Sequence, residues 1–157
     1  MSIDVLNESG VDTDVTELAR LSRFALDRMR IHPQAELCLK LVDEATIATL
    51  NEKWMDKRGP TDVLAFPMDE LRPGHEQDEL PEGVVGDVVL SPQVAAAQAS
   101  GHGHETRDEV HLLVVHGILH LLGYDHAEPA QEREMFDLQQ QLLAEWRRLG
   151  TGRETST

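Results

Sequence analysis

Three histidines stand at spacings that suit a metal ion: His116, His120 and His126, in the run His116-Gly117-Ile118-Leu119-His120-Leu121-Leu122-Gly123-Tyr124-Asp125-His126. On a helix, positions four apart differ by about 40° in rotation and about 6 Å in rise, so His116 and His120 project side by side. Gly123 ends such a helix as a C′ glycine does, because it takes positive φ without a Cβ penalty. The chain can then turn and bring His126 back to the same point. Three neutral imidazoles leave a fourth position open for water, the donor set of a catalytic zinc site. The plain alternative is core or helix-surface histidines. However, the pair lies within an apolar run from Leu112 to Leu122, where unpartnered imidazoles would cost roughly a few kcal/mol each. A shared ion removes that cost, and the expectation is one Zn2+ held by His116, His120 and His126.

The spacing H-x3-H-x2-G-x2-H is also that of the metzincin proteases. Those enzymes carry Glu directly after the first histidine as the base for the attacking water. Here that residue is Gly117, which has no side chain to accept a proton, so a metalloprotease is a minor alternative. The remaining histidines receive plain readings. His111 points off the metal face, His102 and His104 flank Gly103 in a turn, and His32 and His75 read as exposed.

The elements that must position the site follow from periodicity. Residues 2–6 alternate as a short strand, and from Thr13 a helical stripe of Val15, Leu18, Ala25, Leu26 and Met29 begins, with Asp12 or Thr13 as N-cap. Residues 35–42 return to period two, and Asp43 caps a second helix that carries Ile47, Leu50 and Trp54 and should stop near Arg58-Gly59-Pro60. Asp62 to Met68 reads as a strand whose Pro67 suits an edge. Residues 69–83 read as an acidic solvated loop and Val84 to Leu90 as a buried strand. Pro92 opens a short Ala-rich helix that ends at Gly101. Residues 104–122 form the longest apolar helix, and 129–149 an amphipathic one. The predicted fold is therefore α+β: one domain over 1–149, with about four strands in a small mixed sheet and about five helices, the central one carrying the metal histidines. Residues 150–157 read as a disordered tail.

Composition bounds the rest. A chain of 157 residues buries enough surface for one core without disulfides. The lone Cys38 reads as a small core side chain and favours a reducing compartment. No signal peptide or membrane span is visible, so a cytoplasmic protein is expected. A net charge of −15, from 29 acidic and 14 basic residues, is awkward for phosphate contacts, although only the field at a binding groove must be positive. Lys53, Lys57 and Arg58 lie just before the acid-rich stretch.

The histidine string, preceded by Pro-Thr-Asp-Val-Leu-Ala-Phe-Pro at 60–67 and Gly-Asp-Val-Val-Leu-Ser at 86–91, resembles the YbeY family of bacterial rRNA maturation factors. Residues 116–126 match its signature HGxLHLxGYDH throughout, and the resemblance covers about residues 35–145. It implies a zinc-dependent, single-strand-specific endoribonuclease acting in 16S rRNA 3′-end maturation and ribosome quality control. Its partners would be single-stranded RNA, 16S rRNA, the small subunit and a ribosomal or assembly-factor protein. It also implies His116, His120 and His126 as zinc ligands. One position departs: where the family commonly has an arginine facing the groove, this chain has Met55, and Lys57 or Arg58 could supply the charge instead. Arg58 and Asp125 are the candidate catalytic groups, Asp125 more readily as a residue that orients a histidine; Asp62 and Asp87 could reach the groove or simply cap loops. A different class remains open, a ribosome-associated assembly factor that cuts nothing and holds zinc for structure.

Overall fold

The computed structural model describes residues 2–74 and 83–156, with backbone alone for Ser2 and for 150–156. In chain order the elements are β1 (Ser2–Asn7), α1 (Val15–Arg28), β2 (Glu36–Leu41), α2 (Glu44–Met55), β3 (Val63–Pro67), β4 (Val84–Leu90), α3 (Pro92–His102), α4 (Thr106–Leu121) and α5 (Pro129–Ser156). The strands form one sheet in the order β1-β2-β4-β3, parallel except for the antiparallel β3–β4 pair. This is the α+β architecture with a mixed four-stranded sheet and five helices that the patterning predicts.

Period-two alternation in β2 sends Leu37, Leu39 and Leu41 into the main core, which residues of α1 and α4 also line. The opposite face is thinner. There Val42, Leu64 and Val89 pack with Ile47 of α2. β3 lies at the sheet edge, where Pro67 needs no ladder donor. α4 is apolar on nearly every side because it is enclosed, packing against β3, β4, α1, α3 and α5. It is the central helix.

Several local expectations change. α1 is capped by Asp14, whose Oδ1 accepts the Glu17 N–H at 3.0 Å, while the Thr13 hydroxyl bonds back to Val11. Among Asp12, Thr13 and Asp14 the capping residue is the one three positions before a free first-turn N–H. α2 stops at Met55, before Gly59-Pro60, because Asp56 takes a left-handed conformation and Asn51 ties the next loop down through the Gly59 carbonyl. Trp54 is not core: it is 61 % exposed, with the Lys53 ammonium over its ring. α3 runs past Gly101 and ends at Gly103, which has φ of 72°. Cys38 is half-buried on the thinner face rather than in the core, beside Asp87, Leu50 and Phe66. Burial and the nearby Asp87 and Asp4 push its thiol pKa up. Of the acidic loop, His75, Glu76, Asp78, Glu79 and Glu82 lie outside the described residues, and so do the side chains of the expected tail at 150–157. Among the described residues no helix is long and apolar enough to cross a membrane.

Candidate metal centre

α4 holds His116 and His120 at its last two turns, and the two rings meet at right angles with centroids 4.7 Å apart. The helix then ends in a Schellman motif. Tyr124 N–H bonds the Leu119 carbonyl at 3.0 Å and Gly123 N–H the His120 carbonyl at 3.0 Å, with Gly123 at φ 100°. That reversal places the His126 ring 5.6 Å from His116 and 5.2 Å from His120. One ring nitrogen from each histidine lies within 4.8 Å of the others, so the three could hold one metal ion.

The surroundings prepare the imidazoles for that task. His116 donates its Nδ1–H to Gln139 Oε1 at 2.9 Å, which leaves Nε2 as the nitrogen that could meet an ion. Burial lowers the pKa of both His116 and His120. For His116 the Gln139 bond and Asp62 oppose this, while His126 adds to it. For His120 the neighbouring His116 and His126 lower it further. Both rings are therefore held in the neutral form that metals bind. Gln139 and Phe136 come from α5, and Phe136 lies across the rings of His116 and His126 at 6.2 and 6.3 Å, tilted by only 29° and 18°.

Gly117 has a structural reason. A Cβ there would lie 2.7 Å from Val88 Cγ1 and 3.3 Å from Val63 Cγ2, so this side of α4 rests directly on β3 and β4. A glutamate base could not occupy the position, and it faces the sheet rather than the three histidines. The geometry thus speaks against the zincin route to peptide hydrolysis.

The other candidates separate. Asp125 Oδ1 accepts the backbone N–H of His126 at 2.7 Å, fixing that histidine's main chain. Asp62 caps β3 through the Val63 N–H at 2.8 Å and acts electrostatically on His116. Asp87 pairs with Cys38 across the strands and lines the cleft on the thinner face. Arg58 stands in the exposed loop after α2, and Met55 closes that helix. His111 is away from the centre, buried and bonded to Glu17 at 2.6 Å. His32 is half-buried, its Nδ1 accepting the Gln34 N–H at 2.9 Å, not exposed. His102 and His104 are not merely turn residues: both bond the buried Glu109. Periodicity also gave no sign of Arg72, whose guanidinium sits against Gly123 where a Cβ would fall 2.6 Å from Nε.

The model of the endoribonuclease YbeY family matches residues 5–147. The chain belongs to the YbeY family. It is 67% identical over 147 residues to an endoribonuclease YbeY of a Nocardioides species, covering 94% of this chain and 99% of that one. A relative of the same name from Thermobifida fusca is 62% identical over 148 residues, covering 94% and 96%. Among solved structures, the solution structure of a Thermotoga maritima protein superposes with a TM-score of 0.61 at 28% identity, covering 93% of this chain and 92% of that one. The matched residues include all three convergent histidines.

Proposed function

We propose that this chain is a zinc-dependent endoribonuclease that cleaves single-stranded RNA at the His116, His120 and His126 centre, acting in 16S rRNA 3′-end maturation and ribosome quality control. The observation that carries the reading is the convergence of three ring nitrogens within 4.8 Å in a chain whose relatives are named endoribonucleases. The donor set fits the ion: all three are imidazoles, and His116 has its second nitrogen occupied by Gln139. Zinc, when bound, supplies Lewis acidity towards a phosphoryl oxygen and acidifies water towards neutrality.

The chain's own residues do the rest. Gln139 fixes the His116 tautomer, Asp125 fixes the His126 backbone, and the Gly123 turn closes the triangle. The exposed face of Phe136 offers a platform for a base next to the ligands. Arg72 places a cation against the turn of a chain with net charge −15, and Arg58 is the proposed substitute for the arginine that Met55 replaces. The partners follow as single-stranded RNA and the small subunit, and the site of action as the cytoplasm.

The test pairs cleavage of a labelled single-stranded RNA with metal content. His120→Ala should abolish cleavage and remove the zinc of the three-histidine centre together. Cleavage that survives His116→Ala would indicate a contaminating nuclease and overturn the assignment of the activity to this centre. Wild-type protein that retains zinc and binds small subunits but never cuts would instead establish a non-catalytic assembly factor.

A further inference from the structure

Two turns before His116, α4 presents a second group of converging donors. Glu109 is 1 % exposed, and its Oε1 receives His102 Nδ1 at 3.0 Å and also His104 Nε2. One atom from each residue lies within 4.8 Å of the others. The two rings are perpendicular, with centroids 5.7 Å apart, so their nitrogens approach one oxygen from different directions.

The backbone produces this arrangement. α3 continues past Gly101, which makes His102 its last residue, and Gly103 in the left-handed region reverses the chain. His104 N–H is then fastened to the Ala99 carbonyl at 3.1 Å, and α4 starts two residues later with Glu109 turned inward. Two hydrogen bonds could satisfy a buried carboxylate by themselves. Here, however, both imidazoles choose the same oxygen, which concentrates three donors around one small volume. Bonds of about 2.0–2.2 Å to a tetrahedral ion separate ligand atoms by roughly 3.3 Å, so both imidazoles, His104 more than His102, draw back from Oε1 to admit one. Burial raises the Glu109 pKa, but the bonds from His104 and His102 outweigh it and hold the group ionised. The outer side is reachable, since the His104 and His102 side chains are half-buried and exposed respectively.

We propose that His102, His104 and Glu109 form a second cation site, for a first-row transition ion such as zinc, which fastens the end of α3 to the start of α4. Two imidazoles and one carboxylate suit zinc, nickel or copper rather than magnesium or calcium. The ion would sit where the two shared protons now lie, with each imidazole carrying its proton on its other ring nitrogen (Nε2 of His102, Nδ1 of His104), and its binding is independent of the three-histidine centre.

The full chain, stripped with chelator and dialysed, is titrated with Zn2+ and with Co2+, and bound metal is counted per chain. Two equivalents are expected for the wild type, and one for His102→Ala, whose exposed side chain can be removed without touching the core. The double variant His116→Ala/His120→Ala should also keep one equivalent, with a cobalt spectrum different from that of His102→Ala. Zinc should raise the Tm of this double variant, and adding His102→Ala should cancel the rise. A wild type that takes up only one equivalent, or a second equivalent that survives both His102→Ala and Glu109→Gln, overturns the proposal.

Discussion

His116 donates its Nδ1–H to Gln139 Oε1 at 2.9 Å, and Gln139 is itself only 4 % exposed although it is polar. A buried amide held against a ligand ring acts on the metal through that ring, by fixing which nitrogen is free. Gln139→Ala should therefore weaken zinc binding at the three-histidine centre by about 10- to 100-fold. Competition with a chromophoric chelator, in a His102→Ala background to count a single centre, measures this. Unchanged affinity would mean that Gln139 only fills space.

At position 117 two magnitudes oppose each other. Alanine is favoured over glycine within a helix by about 1 kcal/mol, whereas a methyl group forced into a packed core costs about 1–3 kcal/mol. A Cβ would sit 2.7 Å from Val88 Cγ1, on a strand that is buried behind it, so strain should win. Gly117→Ala is expected to lose about 1–2 kcal/mol in urea denaturation, while a larger residue such as glutamate should prevent folding. A Gly117→Ala variant more stable than wild type would show that α4 can lift off the sheet.

Much of the centre was legible because it is local. His116, His120 and Gly123 lie on one helix and its cap, so spacing alone fixes their relative directions. Gln139 and Phe136 come from α5 and Arg72 from the segment after β3, and no periodicity relates them to α4. The His102, His104 and Glu109 group was hidden for a different reason. Gly101 looks like a helix end, but its φ stays helical and the stop falls at Gly103, which changes where His102 points. The sheet's leucine alternation was plain, yet Cys38 shows its limit. Alternation gives two faces without saying which is well covered.

Phe136 makes a prediction about substrate rather than metal. The residue is 38 % exposed and its ring lies nearly parallel to that of His126, which offers its outer face to a base. Stacking on an aromatic is worth about 1–3 kcal/mol per base. Phe136→Ala should raise KM for single-stranded RNA by about tenfold or more, with zinc content unchanged, and Phe136→Trp should restore it. Equal KM values for all three proteins would remove the platform from the mechanism.

The last prediction concerns acid stability, far from the metal. Glu17 accepts from Arg107 Nε at 2.9 Å and from His111 at 2.6 Å, and these bonds, Arg107 first, lower its pKa from 4.5 to about 2 against the opposing effect of burial. Its partner does not mirror it. Burial holds the His111 pKa below 6.5 despite the carboxylate, so near neutral pH the imidazole is an uncharged donor and Arg107 carries the charge pairing. Both shifts have the same sign for stability. A depressed folded pKa gives stability that is complete above the unfolded value and disappears as pH falls through the folded one. His111 should therefore begin to cost stability below 6.5, and Glu17 between 4.5 and about 2. The Glu17 shift from 4.5 to about 2 corresponds to about 3 kcal/mol at 1.36 kcal/mol per pKa unit. Glu17→Gln should be less stable than wild type at pH 7, and the gap should close as pH is lowered towards 2. Urea denaturation at pH 7, 4 and 3 reads the gap directly, and a gap that stays constant with pH would mean that the carboxylate's charge contributes nothing to holding α1 against α4.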